Sequence, residues 1–386
     1  MLTSKDDNKL GFGMMRLPVL NDDPAQINLP EVDKMVDLFI DRGFTYFDTS
    51  FVYHNGHSEE TVRKTVVERH PRDSFTIATK FPTMMVKTED EVDPYFEQQL
   101  KNLGVDYVNF YLLHILMTQY LNNPVREGVV ESCHLFDHLV KWQEAGKAKH
   151  IGFSFHDSPD VLDKLLTEHP QVEFVQIALN YYDWTSEWVQ SKANYEVIRK
   201  HGKAVIAMEP VKGGMLADVP EECLKLMHSF DPEATPASWA IRFAASQEGV
   251  FKVLSGMSTM AQVQNNTDYM AKFKPLSSEE QEMLLECARI MRDGGPAHTH
   301  DFSKYKGHTY HGIPLAGIVD CYNSLSLEPD PSPGKGDDNI YFRQELLKVG
   351  VEDFDKEWPP EKVVVDGEDI TSDVEKMWAF LVKHAL

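Results

Sequence analysis

An aspartate, a lysine and a histidine stand at the ends of successive β-like runs, with a tyrosine just past the first. Asp48 closes FTYFDT (44–49) and Tyr53 follows five residues on; Lys80 closes FTIATK (75–80), and His114 closes YVNFYLLH (107–114). A buried lysine and a buried carboxylate are each costly alone and tolerable as a pair. A tyrosine beside that ammonium gains a reason to titrate. Phenol has a pKa of about 10, and a neighbouring ammonium stabilises the phenolate and lowers it. Such a phenol is a usable proton donor near neutrality. It would protonate an oxygen on which negative charge develops, with His114 as a second hydrogen-bond donor. Reduction of a carbonyl by hydride transfer needs that combination. A charged strand end can also mark nothing more than the chain leaving the core, but that reading weakens when Asp48 and Lys80 are taken together.

The elements that must position these groups alternate regularly. From Leu10 to about Phe273, eight β-branched or aromatic runs (11–15, 44–49, 75–80, 107–114, 149–154, 173–178, 204–208 and 250–256) are separated by amphipathic patterns. Helices are predicted at 33–43, 58–70, 90–103, 129–145, 159–169, 188–201, 236–247 and 261–272. Eight β/α units in one run give an α/β fold, a (β/α)8 TIM barrel over residues 1–292. An open doubly wound sheet would want GxGxxG after an early strand, and Gly11 and Gly13 do not continue into it. In such a barrel chemistry gathers at the C-terminal strand ends. There stand also Ser154 and His156, Gln176 and Asn180, Met208-Glu209-Pro210, and Ser255-Gly256. His54 and His57 flank Asn55-Gly56 and read as solvent-facing turn residues; Cys133, with Phe136 and Val140, reads as core.

Composition narrows the partners. The chain has 386 residues with 61 acidic and 38 basic side chains, a formal charge of −23, and 42% hydrophobic residues. That apolar content excludes wholesale disorder. The charge, without a basic run, argues against a nucleic-acid partner. The most apolar stretch, 108–121, is interrupted by polar residues and too short to span a bilayer. Four dispersed cysteines, Cys133, Cys223, Cys287 and Cys321, fit no disulfide framework. The first ten residues have no apolar secretory core, so a reduced cytoplasmic protein is expected. Beyond 275 the texture changes: a helix at 278–292, a stretch rich in Gly and His (294–314), a linker at 328–338, and helices near 339–349 and 371–385. Residues 293–386 are expected to form a small, mainly helical and acidic extension.

At these residues the sequence resembles the aldo-keto reductases, over roughly residues 8–292. The resemblance runs through GFGMMRLP, FDTSFVYHNGHSEE, IATK, LLH, HIGFSFH, VQIALNYYD, MEPVKGG and SGMSTMAQVQNN. It implies a barrel that binds a nicotinamide cofactor without a Rossmann domain and interconverts carbonyls and alcohols. It makes Tyr53 the general acid/base, tuned by Lys80, which Asp48 holds, and has His114 orient the carbonyl oxygen. Ser154 and Gln176 fall where the family holds the nicotinamide carboxamide. Met208 falls where many members stack an aromatic ring on the nicotinamide, a face that a thioether also covers. Ser255, Gly256, Ser258, Gln262 and Asn266 match the segment that holds the adenosine phosphates. NADPH-preferring members usually place Lys and Arg there against the 2′-phosphate. Gly256 and Gln262 carry no charge, which favours NAD(H) over NADP(H), with basic residues elsewhere in the fold, such as Lys252, able to reverse that.

The resembling subgroup often ends in a ferredoxin-like module with clustered cysteines. Here 294–323 holds only Cys321, and an iron–sulfur cluster needs about four thiolates, so no cluster is expected. His298, His300, His308 and His311 have spacings able to bind zinc, but a degenerate module without metal is the reading kept. The expected partner is a small carbonyl or alcohol, such as an aldehyde, ketone or sugar, with no nucleic acid and no membrane. Loop 115–128 and the extension would decide which; Phe51, Ile115, Met117 and Tyr120 offer an apolar wall. Two other functions are weighed. One is a nicotinamide-binding redox-sensing or scaffold subunit with little turnover. The other is a metal-dependent barrel hydrolase, which would want an HxH at the end of the first strand, where GFGMM has no histidine.

Overall fold

Eight parallel strands close into a barrel in chain order: β1 (Leu10–Gly13), β2 (Tyr46–Asp48), β3 (Thr76–Pro82), β4 (Val108–Leu116), β5 (Ala148–Phe155), β6 (Phe174–Ala178), β7 (Ala204–Met208) and β8 (Val250–Gly256), with β8 pairing back onto β1. The computed structural model describes residues 2, 8–327, 339–354 and 356–385; the linker read at 328–338 lies outside them. The strands are buried on both faces, which is why they read as nearly continuous apolar runs. Inward, Tyr46, Phe110, Phe174, Ile206 and Leu254 fill the barrel, with the Phe110 ring 5.2 Å from Tyr46 and 5.3 Å from Phe174. Gly11 lies where two of these plugs meet: a Cβ there would stand 2.8 Å from Leu254 Cδ2 and 3.0 Å from a Tyr46 ring carbon.

Outward, the strands pack on α1 (Leu29–Asp41), α2 (Ser58–Val62), α3 (Val92–Leu103), α4 (Leu135–Glu144), α5 (Pro159–Glu168), α6 (Ser191–Lys200), α7 (Glu221–Phe230), α8 (Pro236–Ser246) and α9 (Met260–Met270). The single helix expected at 58–70 is α2 followed by a π-turn over Arg63–Val67. Helix α2 is fastened by a buried carboxylate: Glu59 accepts from Thr79 Oγ1 (2.6 Å), Gln99 Nε2 (2.7 Å) and Asn102 Nδ2 (3.0 Å). That fixes the segment directly after the turn that carries Tyr53.

After the barrel come α10 (Ser278–Gly294), a short hairpin (Thr309–Tyr310 with Ile313–Pro314), α11 (Leu315–Leu327), α12 (Asn339–Lys348), a second hairpin (Val364–Val365 with Glu368–Asp369) and α13 (Thr371–Ala385). They enclose an apolar cluster of their own around Tyr310, Ile318, Phe342, Trp378 and Leu381. A buried guanidinium bolts this part to the barrel. Arg292 donates to Asp320 Oδ1 (3.2 Å) and to the Tyr182 carbonyl (2.7 Å), and lies over the Tyr182 ring. Asp320 in turn accepts from Ser186 Oγ (2.5 Å) and the Glu187 amide (2.9 Å) in the loop after β6. Among the described residues no helix is long and apolar enough to cross a membrane.

Candidate active site

Strand register brings the expected groups to one end of the barrel. Asp48 pairs with Ala78, Lys80 with Leu112, and Pro82 with His114. Lys80 is fully enclosed, and its Nζ donates to Asp48 Oδ1 (2.5 Å) and to the Thr49 carbonyl (2.8 Å). Tyr53 opens a one-turn 3-10 segment after β2, Tyr53–Gly56, and its ring lies 4.8 Å from Lys80 Nζ. The His114 ring stands edge-on to Tyr53 at 5.8 Å, and His114 Nδ1 is 2.9 Å from Ser50 Oγ. All four residues therefore converge.

Their electrostatics follow from burial. Desolvation pulls the Lys80 pKa down, but Asp48 and Tyr53 outweigh it and hold the ammonium. Burial raises the Asp48 carboxyl, opposed by Lys80; its Oδ2 is buried without a hydrogen-bond partner among the described residues. Tyr53 corrects the sequence expectation. Lys80 does lower its pKa, but burial raises it by more, so the phenol is held above its ordinary value. His114 is pushed well below the usual histidine value by burial and then by Lys80 and His156, so its imidazole is neutral.

The expected cofactor residues line the same end. Ser154 and Gln176 are register partners across β5 and β6, and Ala178 pairs with Met208. Gln176 Nε2 donates to the Met208 thioether (3.5 Å), while its Oε1 is buried without a partner among the described residues. Ser154 Oγ reaches only a long 3.5 Å contact to the Leu113 carbonyl. Gly13 and Gly256 are register partners where β1 meets β8. The segment after β8 is already tied to itself. Asn266 Nδ2 donates to Ser255 Oγ (2.9 Å) and Ser258 Oγ to the Arg16 carbonyl (2.6 Å). Gln262 Oε1 accepts from the Ser258 and Thr259 amides in a capping box that starts α9, so that oxygen is engaged on its own helix.

Further groups reach the same end, and of these Ser50 and Arg16 were not singled out from the sequence. Ser50 and Glu209 face the tetrad: Ser50 through His114, Glu209 through its charge on Tyr53. Arg16 is exposed, and its stem passes over Gly256, about where a Cβ on that glycine would touch it (3.4 Å). Lys252, the basic residue considered for this role, is instead buried and donates to the Asn8 carbonyl before β1. Helix α12 reaches the mouth as well. His54 lies in the expected turn but is half-buried rather than solvent-facing: its Nε2 accepts from the Leu17 amide (3.1 Å) and its Nδ1 lies 2.9 Å from the Pro24 carbonyl. Cys133 is buried as core. Of the C-terminal histidines, His300 binds the Asp293 carboxylate (2.7 Å), His298 meets the Asp293 carbonyl and His311 lies by Glu361. Among the described residues no three His, Cys, Asp or Glu side chains gather as metal ligands.

Fold and site together define a (β/α)8 barrel with an Asp-Tyr-Lys-His constellation at its C-terminal mouth. Residues 9–289 match the Aldo/keto reductase family, and the chain belongs to it. It is 30% identical over 157 residues to aldo-keto reductase family 1 member C21 of Rattus norvegicus; that match covers 38% of this chain and 46% of the relative's length. It is 22% identical over 310 residues to the uncharacterized oxidoreductase YqkF of Bacillus subtilis, covering 72% of this chain and 92% of that protein. Among solved structures, an aldo-keto reductase from Klebsiella pneumoniae in complex with NADPH superposes with a TM-score of 0.56 at 20% identity, over 72% of this chain and 89% of that one.

Proposed function

We propose that this protein is an NAD(P)H-dependent carbonyl reductase, interconverting a small carbonyl compound and its alcohol, with catalysis in the barrel of residues 1–292. The observation that carries the reading is the enclosed Lys80–Asp48 pair beneath the Tyr53 phenol, with a neutral His114 beside it. A nicotinamide cofactor suits the residues present. The orphaned Gln176 Oε1 calls for an N–H donor, and Ser154 Oγ is available next to it. A carboxamide offers both a donor and an acceptor. When bound, the nicotinamide supplies or accepts the hydride.

The chain's own groups manage the proton. Tyr53 donates its phenolic proton to the substrate oxygen; its raised pKa keeps that proton in place until it is needed. The Lys80 ammonium stabilises the phenolate left behind, and Asp48 holds the ammonium in position. With His114 Nδ1 accepting from the Ser50 hydroxyl, Nε2–H is free to donate to the same substrate oxygen. In the oxidative direction the Tyr53 phenolate takes the alcohol proton.

On the cofactor, uncharged Gly256 and Gln262 spoke for NADH. Arg16 changes the balance: it is an exposed residue whose stem passes over Gly256, and a guanidinium is suited to a 2′-phosphate. The related Klebsiella structure holds NADPH. We therefore take NADPH as the preferred cofactor. Tyr53→Phe tests the whole reading. Turnover of a simple aldehyde should fall about 10²–10⁴-fold, while cofactor binding, followed by tryptophan fluorescence, stays within twofold. Undiminished turnover would refute it.

A further inference from the structure

The C-terminal part touches the barrel mouth through α12, and the contact is built from specific groups. Lys348 Nζ binds Asp157 Oδ1 (2.6 Å) and Ser158 Oγ (2.8 Å), just past the end of β5. Gln344 Oε1 accepts from the Gln119 amide (2.8 Å) in the loop after β4. On the same helix, the Tyr341 ring lies 5.9 Å from the ring of His156. The His156 amide donates to the Leu116 carbonyl. That holds the residue on the His114 side of the barrel, close enough that the two rings oppose each other's protonation.

His156 is 6% exposed, and neither ring nitrogen is hydrogen-bonded to any described residue. Nδ1 is sealed, whereas Nε2 is not. Burial lowers its pKa to about 4, so the ring is a neutral imidazole with one donor and one acceptor. The neighbouring side chains Ile115 and Met117 are apolar and buried. An unpaired polar ring in such surroundings is costly, and a few fixed polar groups in an otherwise apolar pocket are what orient a ligand. Asp157, the adjacent carboxylate, does not compete for the ring: its oxygens are taken by Lys348, the Thr118 amide and the Ser158 amide.

We infer that His156, backed by Tyr341 of the C-terminal extension, is a specificity-determining residue that hydrogen-bonds a second oxygen of the substrate. The substrate class is then a hydroxylated carbonyl compound, a hydroxyaldehyde or hydroxyketone, rather than a plain alkyl carbonyl. This rests on the reductase reading above. A site built to pair with a hydroxyl discriminates strongly against the analogue lacking it.

The test compares glyceraldehyde with propanal, using the full chain and NADPH. Wild type should favour glyceraldehyde at least tenfold in kcat/KM. His156→Leu should abolish most of that ratio, chiefly through KM for glyceraldehyde, and leave propanal turnover within twofold. His156→Gln, which keeps a donor and an acceptor, should retain the preference. A wild-type ratio near one, or a ratio unchanged in His156→Leu, overturns the inference while the reductase reading stands. If neither aldehyde is turned over, the reductase reading fails and the inference with it. The wild-type ratio decides even where a variant does not fold.

Discussion

Replacing Lys80 by methionine separates two roles that the structure merges. Lys80 Nζ is enclosed, 2.5 Å from Asp48 Oδ1 and 2.8 Å from the Thr49 carbonyl, and Asp48 Oδ2 already lacks a partner among the described residues. Removing the ammonium leaves a buried carboxylate with nothing opposite it, at a cost of about 3–5 kcal/mol, a large part of a typical stability of about 5–15 kcal/mol. The pH dependence has a definite sign. Burial already raises the Asp48 pKa and Lys80 opposes the rise; without Lys80 it climbs further. A carboxyl whose folded pKa is raised binds a proton more readily folded than unfolded. The deficit is therefore largest at neutral and alkaline pH and shrinks as pH falls through the folded pKa. Urea unfolding between pH 5 and 9 reads this directly. Turnover should fall about 10²–10⁴-fold at every pH, because the phenolate on Tyr53 loses its counter-charge. The control is Asp48→Leu/Lys80→Met. Removing both charges should recover most of the stability, since apolar replacement of a buried pair is often neutral, yet leave turnover lost. Recovered turnover in the double variant, or Lys80→Met within tenfold of wild type, would refute the assignment of Lys80 to the chemistry.

Two further outcomes are expected. The pH profile of kcat/KM for reduction should be flat through neutrality and fall only above about pH 10, where Tyr53, held above its ordinary value, loses its proton. On the acid side it should not break near pH 6.5, because His114 is held well below that value and stays neutral; a midpoint at 6.5 would remove His114 from the site as described. Arg16→Ala should weaken NADPH binding about tenfold or more and leave NADH within twofold, measured by fluorescence titration. Equal effects on both cofactors would return the preference to NADH.

Asp48, Lys80 and His114 were legible in the sequence because each stands near the end of an apolar strand, with Tyr53 in the turn just past the first of them, and strand periodicity carries that signal locally. The eight strands and most barrel helices were legible for the same reason. What failed was non-local or lacked a stripe. Helix α11, LAGIVDCYNSLSL, is buried at most of its positions, so it presents no polar face to read. Gln262 did carry a signal: Thr259 three residues before it, at the start of a helix, is the capping-box spacing, and the side chain is accordingly engaged. Arg16 had none, because its place over Gly256 depends on the closure of β1 on β8 across most of the barrel sequence. His54 likewise gave no sign that its turn would be tied down, because the loop at Leu17 and Pro24 that binds it is distant in sequence.

The costliest interactions in the molecule share a location. Lys80–Asp48, Lys212–Asp183 and Arg292–Asp320 are ion pairs buried at both ends, and Lys348–Asp157 is buried at its acidic end. Such pairs are poor sources of stability, because desolvation offsets their attraction. Each nonetheless fixes a loop or terminus at the C-terminal face of the barrel. Lys212 joins the loop after β7 to the loop after β6, where Asn180 also binds Asp183 (2.6 Å) and the Glu209 carbonyl (3.1 Å). Arg292 and Asp320 hold α10 and α11 to that same β6 loop. Lys348 holds α12 to the end of β5. The opposite, N-terminal side of the barrel is plugged mainly by aromatic and aliphatic side chains, with the buried Lys252 ammonium over the Tyr46 ring. These four ion pairs thus gather where geometry must be held against a ligand, and mostly apolar packing is used where only closure is required. On this reading the extension belongs to the mouth: its ion pair at Asp157 is made one residue from His156, the side chain through which it would reach the substrate.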